Sequence, residues 1–263
     1  MSDPSLRPIL CIGGHDPCGG AGIQADIETA LAFDALAVTA VTALTVQNTC
    51  EVVSINPVDD RLILEQLEYL LNDVRPSAIK TGLLPTASCA AAIAAELGKL
   101  TDLPLVVDPV LRAGSGASLT EDGLARVLMT TVIPHATVVT PNRDELLALA
   151  AVDEPDQAAA VLLDNGAEHV LLTQADAGAS IIENVLYSPG KRRTWQWQRV
   201  PGRFHGTGCT LATALACGLA AGLEPEVAAE RAQAFTDAAV RGARSVGACQ
   251  QHPRRAAPAG SRR

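Results

Sequence analysis

The chain is short of aromatic side chains and shorter still of lysine. Phenylalanine, tryptophan and tyrosine together make up 3% of its 263 residues, and Lys80, Lys99 and Lys191 are its only lysines. Any site for a phosphorylated ligand must therefore draw on very few ammonium groups. Long apolar runs are missing too. The weakly charged stretches 35–46 and 211–223 contain Thr or Gly and fall short of a membrane span. Residues 1–8 hold no apolar segment that would serve as a secretion signal. The seven cysteines (Cys11, Cys18, Cys50, Cys89, Cys209, Cys217 and Cys249) include no CxxC pair. An odd, scattered set of this kind reads as reduced thiols in a cytoplasmic protein.

Positive charge is scarce outside the last twelve residues. The net charge is −9, but residues 252–263 carry four arginines and no acid, so the preceding body holds 16 basic against 29 acidic residues, a net −13. A body of that sign is a poor non-specific partner for nucleic acid, which needs a basic face.

What is present is a periodic, 48% hydrophobic chain of globular type. Short β-rich runs alternate with helical ones. Strand-like runs fall at 7–13, 38–44, 78–81, 105–107, 137–140 and 169–173. Helical patterns fall at 21–35, 59–73, 86–97, 120–131, 143–151, 155–165, 208–221 and 225–246, with added β-structure at 179–186 and 193–200. In the helix at 59–73 the apolar face is read as Leu62, Leu64, Leu67, Tyr69, Leu70 and Leu71. The alternation predicts an α/β domain over 1–249, a central mostly parallel sheet with helices on both faces. Residues 250–263, rich in Pro, Arg and Ala, are expected to be a disordered basic tail.

In such a sheet ligands sit at the carboxyl ends of the strands. Here those ends read Gly13-Gly14-His15-Asp16, Thr45-Val46-Gln47-Asn48, Lys80-Thr81-Gly82, Asp108-Pro109 and Thr140-Pro141-Asn142. The strongest local signal is His205-Gly206-Thr207-Gly208-Cys209-Thr210 before a helix of small residues. Two glycines there leave backbone N–H groups unpaired at the positive end of the helix dipole, an anion hole. An ordinary tight turn before a buried helix is the alternative. Cys209 falls in the first helical turn, where the dipole is expected to lower a thiol pKa; a small apolar residue filling the turn is the plainer reading.

The glycine-rich segment 13–26 is neither a dinucleotide fingerprint nor a Walker loop. A long loop separates its strand from its helix, and no Gly-Lys-Ser/Thr follows. It suits backbone closely approached by a flat ligand, with Asp16 and Asp26 offering carboxylates. Cys11, His15 and Cys18 lack a fourth ligand for zinc. Asp108, and Asn142 with Glu145, place oxygen ligands where Mg²⁺ carrying nucleotide phosphates would need them. Asn142 and Glu145 also spell a helix-capping box, and both roles can coexist. Gln47 ends a strand; its amide can pair with the edge of a heteroaromatic base.

Taken in order, Gly-His-Asp-Pro-Cys-Gly-Gly-Ala-Gly-Ile-Gln-Ala-Asp at 14–26, Thr-Ala-Leu-Thr-Val-Gln-Asn-Thr at 42–49, Lys-Thr-Gly-Leu at 80–83, Val-Asp-Pro-Val at 107–110, Thr-Pro-Asn at 140–142 and His-Gly-Thr-Gly-Cys-Thr-Leu at 205–211 resemble the hydroxymethylpyrimidine/phosphomethylpyrimidine kinases of thiamine biosynthesis. The likeness runs over about residues 8–245 and implies a ribokinase-like fold. It also implies ATP- and Mg²⁺-dependent phosphorylation of 4-amino-5-hydroxymethyl-2-methylpyrimidine, and of its monophosphate to the diphosphate. By the same resemblance Gly14, Asp26, Gln47 and Leu83 hold the pyrimidine. Gly206, Thr207, Gly208 and Cys209 form the anion hole, with Cys209 as base or as part of the hole. Asp108, Asn142 and Glu145 serve the nucleotide, with Asp108 and Glu145 reaching Mg²⁺ partly through water. A homodimer is a family expectation.

The chain departs from the pattern at His15, where Thr is frequent, at Cys18, where Ser is frequent, and more seriously in two further places. Thr173-Gln174-Ala175-Asp176 stands where Lys-Gly-Gly-His is common, and the lysine expected after Val110 is absent. Arg112, the only cation on that loop, is read as its substitute for ATP. Two other functions remain open: a pyridoxal or pyridoxine kinase of the same fold, and a regulatory protein that binds the pyrimidine without transferring phosphate.

Overall fold

The computed structural model describes residues 6–111, 123–173 and 180–256. Strands β1 (Pro8–His15), β2 (Leu36–Gln47), β3 (Val52–Pro57), β4 (Ala78–Thr81), β5 (Leu105–Val107), β6 (Val138–Val139), β7 (His169–Thr173), β8 (Ile181–Ser188) and β9 (Lys191–Gln198) form one sheet in the order β3-β2-β1-β4-β5-β6-β7-β8-β9. The six from β2 to β7 run parallel, while β3 and the β8–β9 hairpin pair antiparallel at the edges.

Side chains of a strand alternate between faces, and the two cores follow that alternation. Leu10, Ile12, Ile79, Val107, Val139 and Leu172 face one side, packed against α2 (Asp60–Asp73), α3 (Ala87–Leu97), α5 (Arg143–Ala150) and α6 (Pro155–Asp164). The short helix α4 (Leu124–Val127), continued by wider and tighter turns to His135, lies on that side as well. Ile9, Cys11, Ala78, Val106, Val138 and Leu171 face the other side, packed against α1 (Gly22–Ala32), α7 (Thr207–Ala220) and α8 (Pro225–Arg241). The small residues of α7 let helices approach closely: a Cβ on Gly218 would lie 2.9 Å from Ala228 Cβ of α8.

The expected architecture holds, with four corrections. Strand β3 was not expected, because Val52–Pro57 buries little and shows no clean alternation. Helix α2 buries Ile63 and Leu67, with Leu70 and Leu71 beside them, whereas Leu62 is 50% and Tyr69 80% exposed. Periodicity over a leucine-rich stretch does not choose between adjacent stripes. The final helix stops at Arg241 rather than at 246 because Gly242 ends it.

The fourth correction concerns residues 250–256 of the expected tail; residues 257–263 lie outside the described residues. Residues 244–256 form a strap: β10 (Arg244–Ser245) pairs with β11 (Gln251–His252), and Gln250 N–H donates to Thr49 O at 3.1 Å. Gln251 N–H donates to Arg203 O at 2.8 Å, and His205 N–H donates to Gln251 O at 2.9 Å. Cys50 and Cys249, 199 residues apart, form a disulfide that fastens the strap to the β2–β3 turn. The reading of all seven cysteines as free thiols is thereby overturned. Only the tertiary fold brings these two together, so their spacing carried no sign of it.

Both tryptophans lie on β9. Trp197 donates its indole N–H to Gln233 Oε1 at 3.0 Å, and Trp195 packs at the margin of the α7–α8 core.

Candidate active site

The carboxyl ends of β1, β2, β4, β5, β6 and β7 open into a cleft of about 840 Å³, roofed on one side by the loop before α7. That volume lies within the usual range for a small-molecule site. One end is lined by Gly14, Thr45, Gln47 and Leu83. Gly14 lies against Leu83, close enough that a Cβ on Gly14 would sit 3.0 Å from Leu83 Cδ2, and Gln47 and Thr45 complete the wall. Gly22 takes φ +59°, and a Cβ there would fall 2.2 Å from Gly14 O, so only glycine closes this loop.

The other end is the start of α7. Helices α2, α3 and α5 satisfy their first N–H groups with Asp59, Thr86 and Asn142 side chains, but α7 has no side-chain cap. Its first intrahelical bond runs from Thr210 N–H to Gly206 O at 3.0 Å. The N–H groups of Thr207, Gly208 and Cys209 thus precede the helical ladder, and all three residues line the cleft. Gly206 holds φ +78°, where a Cβ would come 2.0 Å from Gly20 O. The two glycine loops are therefore in backbone contact.

Between the two ends lies a buried charge cluster. Lys80 is 1% exposed and Asp26 fully buried, with Lys80 Nζ donating to both Asp26 oxygens at 3.0 Å. Burial works against the ammonium, but Asp26, Cys209 and Asp108 together hold its pKa above the ordinary value. Removing one member of such a pair leaves an uncompensated buried charge, at a cost of about 3–5 kcal/mol. Asp108 faces the start of α7: a Cβ on Gly208 would stand 3.6 Å from Asp108 Oδ2. Burial pushes Asp108 up to about 6 against the pull of Lys80.

Several sequence expectations change here. Asp26 does not line the cleft; its oxygens are spent on Lys80 and on Thr213, whose hydroxyl donates at 2.7 Å. Asp16 does line it, but acts as the cap of the α1 loop, accepting from the N–H groups of Cys18, Gly20 and Ala21. Burial alone would raise its pKa; the contact with His205 and the N–H donors bring it down to about 2. The Cys209 thiol is not lowered by the helix dipole. Burial, with Asp108 and Asp26 nearby, pushes it up to about 11 despite Lys80.

Asn142 and Glu145 form the capping box, with Glu145 N–H donating to Asn142 Oδ1 at 2.9 Å and Asn142 N–H to Glu145 Oε2 at 3.0 Å. Burial and Asp108 push Glu145 up to about 8. Arg112 and residues 174–176 lie outside the described residues. Missed altogether were the Lys80–Asp26 pairing, His205 against Asp16 at 3.1 Å, and Phe204 in the cleft wall. A lysine inside the apolar strand Ala78–Thr81 was the one visible sign of the first.

A phosphomethylpyrimidine kinase family match covers residues 16–254. The chain belongs to that family. A hydroxymethylpyrimidine/phosphomethylpyrimidine kinase of Streptomyces coelicolor is 36% identical over 246 residues, 90% of each chain. Among solved structures, a phosphomethylpyrimidine kinase of Clostridium difficile matches with a TM-score of 0.78 and 28% identity, over 89% of this chain and 99% of that one. A pyridoxal kinase of Staphylococcus aureus in complex with AMP-PCP and pyridoxal matches with a TM-score of 0.87 and 27% identity, over 98% and 96%. The fold is ribokinase-like, and membership of this kinase family accords with use of ATP.

The site suits Mg²⁺ held mainly by phosphate and water. Among the described residues no three His, Cys, Asp or Glu side chains converge into a metal cage. The buried carboxylate of Asp108 faces the start of α7, and buried Glu145 also lines the cleft, which matches the sparse protein ligation Mg²⁺ accepts.

Proposed function

We propose that the chain transfers the γ-phosphoryl group of ATP to the hydroxymethyl group of 4-amino-5-hydroxymethyl-2-methylpyrimidine, and then phosphorylates the monophosphate to the diphosphate, in thiamine biosynthesis. The observation that carries this reading is the continuity of one cleft between the Gly14–Gln47–Leu83 wall and the uncapped start of α7. A flat ring seated at that wall would hold its substituent toward the anion hole. Gln47 would pair with the ring nitrogen and amine, and Leu83 would cover an apolar face. Asp26 would act from behind, by fixing Lys80 under the cleft floor.

Phosphoryl transfer needs positioning and charge neutralisation more than covalent chemistry. The Thr207, Gly208 and Cys209 N–H groups would meet the charge that spreads over the transferring group, in a partly desolvated site where donors are strongest. Mg²⁺ bound with the nucleotide would neutralise phosphate charge; Asp108 and Glu145 would hold it, partly through water, and Asn142 would stand by the nucleotide. Arg112 is proposed as a further nucleotide contact. Cys209 takes the hydroxyl proton late in transfer, through its minor thiolate form.

A pyridoxal kinase is the second reading, favoured by the higher TM-score of the pyridoxal kinase backbone. Parallel measurement of ADP release with the aminopyrimidine and with pyridoxal separates the two. Turnover of the pyrimidine at a kcat/KM at least about tenfold above pyridoxal is the expected outcome. The reverse preference overturns the proposal, and no ADP with either substrate would leave a pyrimidine-binding regulatory protein. The proposal extends to a cytoplasmic enzyme; among the described residues no helix is long and apolar enough to cross a membrane. It extends also to a homodimer, since Leu44 and Val46 of β2 and Val53 of β3 are 52–68% exposed along the sheet edge.

A further inference from the structure

Among the described residues lining the cleft, Lys80 is the only lysine or arginine, and its ammonium is committed to Asp26. A second cation stands just behind the lining. Arg255 arrives on the strap, and its side chain is 1% exposed. Its Nε donates to Thr210 Oγ1 at 2.8 Å, its Nη1 to Glu28 Oε2 at 3.0 Å, and its Nη2 to Gly20 O. Thr210 Oγ1 in turn donates to Gly206 O at 2.7 Å. One guanidinium thereby ties the Gly20 loop, and through Thr210 the Gly206 turn, at the point where those two backbones touch. The family match stops at residue 254, one short of this arginine.

We propose that Arg255 is a positioning residue for the phosphate end of the cleft. It holds Gly206 in its left-handed conformation, so that the Thr207, Gly208 and Cys209 N–H groups point into the cleft, and it sets a buried positive charge behind them. Its outer partner Glu28 is 54% exposed, so solvent screens that carboxylate more than it screens the guanidinium. The fork geometry matters, because a lysine in its place would reach one loop and not both. With Lys80 spent on Asp26, Arg255 supplies from behind the lining the positive charge that a lysine-poor chain otherwise lacks. This inference rests on the kinase reading above for the nature of the anion.

The test is calorimetric titration of the full chain with AMP-PCP and Mg²⁺, and separately with the aminopyrimidine, for wild type, Arg255→Met, Arg255→Lys and Thr210→Val. Arg255→Met is expected to weaken AMP-PCP about tenfold or more while pyrimidine affinity stays within about twofold. Arg255→Lys should recover part of the loss. A purely structural arginine would lower the melting temperature and both affinities together, and that result, or unchanged AMP-PCP affinity, overturns the inference. If Arg255→Met does not fold, Thr210→Val carries the test, because it breaks the link to Gly206 while leaving the arginine; the same selective loss is expected, and its absence is fatal. Wild-type turnover judges the kinase reading separately. A wild type that binds AMP-PCP but phosphorylates no pyrimidine defeats that reading and leaves Arg255 to be judged on AMP-PCP affinity against melting temperature. A wild type that binds no AMP-PCP defeats both.

Discussion

At the scale of single residues, Cys209 offers two separable groups to the cleft, a backbone N–H ahead of the α7 ladder and a sulfur. Cys209→Ala keeps the first and removes the second. With the thiol pushed up to about 11, the neutral form dominates at pH 7, and the thiolate fraction grows about tenfold for each unit by which pH rises toward that value. If the sulfur takes the substrate proton, Cys209→Ala lowers kcat by about a hundredfold or more with little change in pyrimidine binding and abolishes the rise of kcat with pH. A rise between about 7 and 9 that survives in the variant belongs to Glu145, whose carboxyl is pushed up to about 8. Steady-state kinetics across that range decide the matter. A flat profile with a near-normal alanine variant assigns the residue's whole effect to its amide. Asp108 adds an acid limb, since its carboxylate forms as pH rises through about 6.

At the scale of elements, the strap between residues 244 and 256 is where sequence and structure part most. The parallel sheet was legible because buried strands and amphipathic helices impose periods that composition cannot hide. Gly206 and Gly208 before a helix announced the glycine turn and the helix start without a side-chain cap for the same local reason. Arg255 and Cys249 did not announce themselves: a Pro- and Arg-rich stretch looks solvated until partners more than forty residues away in sequence supply its contacts. Asp26 misled in the opposite direction. It stands in a ligand-like motif, yet its partner Lys80 arrives from another strand 54 residues on and turns it inward. The strap also yields a measurable consequence. A disulfide closing a loop of this length contributes up to about 5 kcal/mol in the chain-entropy account. Cys50→Ser, or reduction of the wild type, is expected to lower the melting temperature by roughly 5–10 °C, read by scanning calorimetry. An unchanged transition would mean that hydrogen bonds and Arg255 alone hold the strap.

At the scale of the whole molecule, the proposed site would let an acidic body handle phosphate without a basic face, using backbone N–H groups, a helix terminus and the buried guanidinium of Arg255. Its exposed apolar edge at Leu44, Val46 and Val53 is the surface on which a second copy would dock. Val46→Glu is expected to convert a dimer into a monomer in sedimentation equilibrium; a monomeric wild type removes the dimer from the proposal. The two tryptophans of β9 bear on how such experiments are read. They belong to the far edge of the sheet, across β8 from the parallel strands, and neither lines the cleft, where Phe204 is the only aromatic ring apart from histidine among the described residues. The intrinsic fluorescence of this chain is therefore a gauge of the β8–β9 hairpin and of α8 beside it. It should follow unfolding faithfully and stay nearly silent when the cleft fills, so occupancy has to be read from heat or from product, not from light.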